Sequence, residues 1–144
     1  MADPLSIISG IAGVATAGAA LASILYDIIH NIRDAPREMI DIARGVRELS
    51  SILRELRRIL KRGTELFKRG LFRSLRSAIH RIKDIHEEID GLLAATGGRL
   101  ARIKWVFRKG KATYLLAKIE SHKSTVSLFS TTMLLAVEER KHTL

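Results

Sequence analysis

Apolar residues recur along most of this chain at a spacing of alternately three and four, the period of one face of an α-helix. Met39, Ile42, Val46, Leu49, Leu53, Leu56 and Leu60 form one such stripe. Ile40, Ala43, Ile52 and Ile59 widen it, which suits a bundle helix better than a two-stranded seam. Asp34 before Ala35-Pro36 predicts the start of this helix, with a capping acid and an early proline, and Gly63 predicts its end after about Arg62. Gly45, inside the stripe, costs about 1 kcal/mol relative to alanine and so points to a close helix crossing. The same rhythm returns in Phe72, Leu75, Ile79, Ile82, Ile89 and Leu93, with His86 in the gap and Leu71, Ala78, Ile85 and Leu92 alongside. It predicts a third helix over about 71–95, closed by Thr96-Gly97-Gly98. Residues 63–70 form a short connection with room for a turn of helix. The basic stretch RLARIKWVFRKGKATYLLAKI and the apolar stretch through Val126, Phe129, Met133 and Ala136 to about Glu139 complete the chain as one bent helix or as two broken near Gly110. The pattern leaves both arrangements open.

The opening segment differs from all of these. From Pro4 to Tyr26 there are 23 residues without a charge, bracketed by Asp3 and Asp27. As a helix they reach roughly 34 Å, enough to cross a hydrocarbon core of about 30 Å. A secretory signal is rejected, because the only early charge is negative. Large aliphatics are few: Leu5, Ile7, Ile8, Ile11, Val14, Leu21, Ile24 and Leu25. Their summed preference for lipid is only about −2 to −5 kcal/mol, against which Gly, Ser and Thr then work. Ser6, Gly10, Gly18 and Ala22 lie on one row interrupted by Val14, and Ser9, Gly13 and Ala17 on another. Rows of small residues let helices approach closely in membranes, and equally let a central helix fit inside a crowded bundle. The segment suits both environments, and a change of partner reconciles them.

Length and short connections together predict an all-α protein, an antiparallel four- to five-helix bundle with a hydrophobic N-terminal helix. At 144 residues the chain suits one domain spanning 1–144, with 1–29 as a hydrophobic head within it. Two prolines and 5% aromatics argue against a strand-and-turn protein, and the lack of cysteine excludes disulfides, thiolate metal sites and a cysteine nucleophile.

Charge changes the picture. The formal net charge is +10, and every Lys and Arg lies downstream of the head, whose only charged side chains are Asp3 and Asp27. Residues 54–83 hold eleven Lys or Arg against Glu55 and Glu65, and residues 99–111 hold six with no acid. A partner of opposite sign is favoured: anionic lipid, nucleic acid or an acidic protein. Direct reading of nucleic acid wants Asn, Gln or aromatics among the basic residues, whereas these helices place mainly Leu and Ile between their charges. Clusters of basic residues beside a membrane-seeking segment are instead worth about 1 kcal/mol per residue at an acidic leaflet. The candidate anionic-lipid-binding residues are therefore Arg54, Arg57, Arg58, Lys61, Arg62, Lys68, Arg69, Arg73 and Arg76, a stripe across the second and third helices, with Arg102, Lys104, Arg108, Lys109 and Lys111 downstream. The candidate membrane-insertion residues are Leu5, Ile7, Ile8, Gly10, Ile11, Gly13, Val14, Gly18, Leu21, Ile24 and Leu25.

Catalytic constellations do not emerge. Gly110-Lys111-Ala112-Thr113 looks like the end of a phosphate-binding loop, but Trp105 stands where its first glycine belongs and no strand precedes it. His80 and Asp84 share a helix face, with His86 and Glu87 nearby, yet no converging third ligand is evident. His86 and His122 fall in apolar rows and read as core-edge histidines. No enzyme activity, cofactor or metal is expected.

Two stretches carry a family resemblance. The opening MADPLSIISGIAGVATAGAAL is similar to the start of fungal HeLo-like domains, the N-terminal domains of many fungal STAND (NLR-like) receptors. The stretch from Arg102 resembles the same family in Trp105, Lys109, Lys111, Leu115, Leu116, Lys123, Ser124 and Thr125. The resemblance implies a helical bundle that executes regulated cell death. Related HeLo domains, and the similar four-helix bundle of the necroptosis executioner pseudokinase, are thought to oligomerise and breach the plasma membrane. It further implies self-association, an upstream signalling receptor, and residence in the cytoplasm at rest and at the plasma membrane on activation. Only RKHTL follows Glu139, with neither a nucleotide-binding domain nor an amyloid signalling motif, so an excised effector domain or one with a separate trigger is expected. The rival expectations are a helical interaction or oligomerisation module of a signalling receptor and, third, nucleic-acid binding.

Overall fold

The computed structural model describes residues 4–66, 69–108 and 110–143, with the side chains of Arg69 and Thr143 outside that description. Five α-helices account for nearly all of it: α1 (Pro4–Asn31), α2 (Arg37–Arg62), α3 (Arg69–Ala95), α4 (Leu100–Arg108) and α5 (Gly110–Thr143). A 3-10 turn at Thr64–Leu66 lies in the connection after α2. No strand occurs among the described residues.

The expected elements are present, with corrections at their ends. Asp34 does not cap α2. It adopts a left-handed φ of 56°, and Pro36 occupies the capping position without a side-chain hydrogen bond. The reason is local: Pro36 disfavours helical geometry at Ala35, so the helix begins only after the proline, whose carbonyl accepts from the amides of Met39 and Ile40 at 3.1 and 3.2 Å. The close of α3 follows the sequence. Buried Thr96 donates its hydroxyl to the Leu93 carbonyl at 2.6 Å, and Gly97 and Gly98 turn the chain at φ 61° and 78°, where a side chain is strained. The basic and apolar stretches downstream are two helices, α4 and α5, and α5 continues past Glu139 to Thr143.

Four long helices form the bundle. The closest-packed pairs are α1–α2 and α2–α5, and α3 closes the ring against α1 and α5. Helix directions follow from the contacts. Gly10 and Gly18 of α1 meet Ile79 and His86, so α1 and α3 run parallel, while Gly45 and Gly63 meet Ile119 and Val137, so α2 and α5 run parallel. Tyr26 lies under the Arg47 guanidinium at 4.9 Å while Gly18 faces Ser50, which makes α1 and α2 antiparallel. Up-down-up-down topology results, with α2 and α3 at opposite corners. Short α4 closes one end by seating Ile103 and fully buried Phe107 on the core.

Two apolar clusters fill the interior. One joins Ile7, Ile8 and Ile11 of α1 to Leu53, Leu56 and Leu60 of α2, Phe72 and Leu75 of α3, and Val126 and Met133 of α5. The other joins Leu21 and Leu25 to Met39, Ile42, Val46, Ile85, Ile89, Phe107, Leu115 and Ile119. The close crossing expected at Gly45 is found: a Cβ there would stand 2.9 Å from Cγ2 of Ile119. Gly45→Ala gains about 1 kcal/mol of helix propensity but overpacks a filled seam at about 1–3 kcal/mol. A net loss of about 1 kcal/mol in urea unfolding is the expected result, and a stabilised variant would contradict the packing described here.

Candidate functional site: the first helix and its seat

Helix α1 is long and apolar enough to cross a membrane by length and composition, a test that core helices of soluble proteins also pass, and 44% of its most apolar window is buried. The bundle covers one face of this helix and leaves the other open. Ile7, Ile8, Ile11, Val14, Ala15, Gly18, Leu21, Ala22 and Leu25 are buried. Ser9, Gly13, Thr16, Ala17, Ala20 and Ser23 face outward, as do Leu5 at 77% exposure and Ile24 at 49%. Among the candidate insertion residues, Ile7, Ile8, Ile11, Val14, Gly18, Leu21 and Leu25 thus lie in the core at rest, Gly10 is half-buried, and Leu5, Gly13 and Ile24 are exposed. The physical reason is the ring arrangement, in which every long helix occupies a corner and none is surrounded.

The seat of α1 has a weak waist. Between the two apolar clusters lie Gly18 of α1, Ser50 of α2 and His86 of α3. A Cβ at Gly18 would collide with the Ser50 hydroxyl and stand 3.0 and 3.1 Å from Cε1 and Nε2 of His86. Ser50 and His86 are 2% and 5% exposed, yet neither Ser50 Oγ nor His86 Nε2 has a hydrogen-bond partner among the described residues. A buried polar group left unpaired costs about 1–3 kcal/mol, so the layer that binds α1 to the bundle's middle is its least favourable one. Clefts flank the helix on both sides. One, of about 430 Å³, lies against α3 between Gly13 and Ala17 on one wall and His80, Lys83 and Glu87 on the other. The second, of about 640 Å³, lies against α2 and includes Ser23, Asp27, Arg47 and Arg54.

Burial depresses the pKa of His86, partly countered by Asp90. His80, Lys83 and Glu87 lie near it on α3, whereas the facing stretch of α1 offers no titratable group and α2 offers Ser50. Because the folded protein refuses a proton that the unfolded chain accepts near pH 6.5, stability falls as pH drops from about 6.5 toward the folded value. His122, whose pKa is lowered by burial and then by Arg81 and Lys118, acts in the same direction. Urea midpoints measured at neutral and mildly acidic pH should therefore diverge, and His86→Gln should shrink the divergence. An unchanged divergence in that variant would remove His86 from the account.

The basic residues do not form the expected single stripe, because α2 and α3 stand at opposite corners. Arg54, Arg58, Lys61 and Arg62 are exposed on α2 and Arg57 is half-buried there, with no partner for its Nε. Acids temper several of the neighbouring charges: Glu55 lies 3.1 Å from Arg58, Glu138 lies 3.8 Å from Arg62, and Glu65 pairs with Arg140. Arg73 and Arg76 are exposed on α3. Around α4, Arg102, Arg108 and Lys111 are exposed and Lys104 is half-buried. Lys68, Lys109 and the Arg69 side chain lie outside the described residues.

Of the residues carrying the sequence resemblance, Leu115 is core, Trp105 is exposed, and Lys123 ties α5 to α2 through Glu48 and to its own helix through Glu120 at 3.2 Å. Burial opposes the Lys123 charge, but these carboxylates hold its pKa above the ordinary value. Ser50 escapes a reading from sequence, because a serine within an apolar stripe carries no signal of what stands opposite it. No group of three or more His, Asp or Glu side chains converges as a metal site would among the described residues.

Comparison with protein families matches residues 2–141 to the model described as Pigment biosynthesis cluster protein PigL N-terminal. No curated protein and no solved structure matches.

Proposed function

From the premise that this chain belongs to the PigL N-terminal family, as an all-helical bundle, we propose that it is a non-enzymatic membrane-permeabilising effector of the HeLo-like kind. The observation that carries this reading is the seating of α1: a helix uncharged from Pro4 to Tyr26 and long enough to span a bilayer, held by one face only, across a waist with unpaired Ser50 and His86. Moving α1 from bundle to lipid exchanges one apolar environment for another, so its side chains lose little. The exposed small-residue face, idle in the bundle, supplies close helix–helix contact in lipid. Departure of α1 uncovers the apolar faces of α2 and α3, and a second copy covers them at least cost. Self-association thus follows from release, and the high local concentration it creates favours insertion of further helices. Exposed basic residues on α2, α3 and α4 hold anionic headgroups while this happens. The protein then resides in the cytoplasm at rest and at the plasma membrane when active, downstream of a signalling receptor.

Dye-loaded vesicles test the reading. Release is expected from acidic vesicles and much less from neutral ones, with no comparably tight, salt-sensitive binding to DNA or RNA. Intact acidic vesicles under conditions that assemble the protein would overturn it. One feature favours a second reading, a helical interaction module: α5 exposes Leu128, Leu134 and Leu135 at 67%, 39% and 61%. That module would bind a helical partner with α1 still in place, and without leakage.

A further inference from the structure

The groove between α3 and α5 lies away from α1 and has a different chemistry. Arg73, Ser77 and Arg81 recur every four residues along one wall, and Ser121, His122 and Thr125 line the other, with Phe129 at the end. The volume is about 420 Å³. No carboxylate lines it among the described residues. Neither Arg73 nor Arg81 forms an ion pair among the described residues, unlike Arg58 and Arg62 on α2. Asp84 and Glu88 line the adjoining cleft, which shares Arg81, Ser121 and His122 with this groove, and there Glu88 is held by Lys118 at 3.7 Å. Glu48, on the α2 side of α5, is taken by Lys123. Thr125 donates its hydroxyl to the Ser121 carbonyl at 3.1 Å, so Ser77 and Ser121, both exposed residues, are hydroxyl donors left to the groove.

Two guanidinium groups, an imidazole near Arg81 and Lys118, and hydroxyl donors are the set that binds a doubly charged phosphate. Each arginine offers a planar fork to two oxygens, and the hydroxyls supply donors to the rest. A groove of this size also has room for the organic remainder of an ester. We propose that the α3–α5 groove is a binding site for a phosphomonoester, carried either by a soluble metabolite or by a lipid headgroup. This assignment goes beyond the release of α1 and does not depend on it. Burial and the nearby charges of Arg81 and Lys118 already disfavour a proton on His122. A bound phosphate reverses that balance, so occupancy is read directly as a rise in the His122 pKa.

The test uses the whole chain. Histidine NMR titrations are run without ligand, with glycerol phosphate, and with inorganic phosphate. Sedimentation is run with phosphatidylcholine vesicles containing either phosphatidic acid, a monoester, or phosphatidylglycerol, a diester. The expected result is a raised His122 pKa with glycerol phosphate, or preferential sedimentation with phosphatidic acid, the first identifying a soluble source and the second a lipid one. Arg81→Glu and Arg73→Glu should each weaken binding about tenfold or more, as loss of one charge-assisted contact does. Arg33→Glu, an equal charge change at an exposed position outside the groove, should weaken it far less. No movement of the His122 titration combined with equal sedimentation on both anionic lipids would overturn the proposal. So would equal losses in all three variants. The titration of the unmutated chain keeps the test decisive even where a variant folds poorly.

Discussion

Replacing Ala17 with aspartate is expected to leave the bundle folded and to cut vesicle permeabilisation about a hundredfold. Ala17 lies near the middle of α1 and faces outward, so in the resting protein the carboxylate stays in water. Its cost to folding is then the helix-propensity difference, under about 1 kcal/mol. In a bilayer the same residue sits near the hydrocarbon centre, where a charge costs about 2.5–3.5 kcal/mol, a factor of about 100. Ile11→Asp is the informative contrast. Ile11 is fully buried, and an unpaired carboxylate there costs several kcal/mol out of a total stability of about 5–15 kcal/mol. That variant should lose its cooperative unfolding transition along with any membrane activity, so it tests the core and not insertion. Circular dichroism and dye release measured together separate the two. Wild-type leakage from a folded Ala17→Asp protein would mean that α1 does not enter the membrane.

The second large effect is expected at the waist. In Gly18→Leu even the first added carbon meets the Ser50 hydroxyl, and the rest of the side chain must enter a space already held by His86. Overpacking of this kind costs about 1–3 kcal/mol, and a branched side chain aimed into two helices belongs at the upper end. The strain falls on the contact between α1 and its seat, because α2 is also held by α5 and by the Lys123–Glu48 pair. Amide exchange should therefore accelerate across α1 while α2 and α5 stay protected, and leakage should rise without any trigger. Ser50→Ala, which removes both the unpaired hydroxyl and the nearest obstacle, should relieve part of the cost of Gly18→Ala in a double-mutant cycle. Uniform exchange across the bundle would show that α1 is no more weakly held than its neighbours.

Much of the fold was legible before the structure because helical burial is periodic. A stripe such as Met39 to Leu60 can satisfy its apolar side chains only by facing a core, and Gly97-Gly98 mark an end that backbone chemistry imposes, whereas Gly63, at a φ of −148° open to any residue, ends α2 where a Cβ would stand 2.9 Å from Cγ2 of Val137. Asp34 misled because a capping residue must stand next to the first helical turn, and Pro36 moved that turn along the chain. The basic stripe misled for a different reason. Residues on consecutive helices share a face only when those helices are neighbours, and here α2 packs on α1 and α5 while α3 stands across the bundle.

The same division runs through the candidate site. An uncharged opening segment, long enough to cross a bilayer yet poor in large aliphatics, is a property of residue order alone, as are the helix count and the surplus of positive charge. Which face of α1 is covered, that Gly18, Ser50 and His86 meet, and that Arg73, Arg81 and His122 share one groove were decided by packing. Residues 68 positions apart, as Gly18 and His86 are, come together only when whole helices choose their neighbours. That choice depends on the shapes of all the apolar faces at once, which no local period encodes.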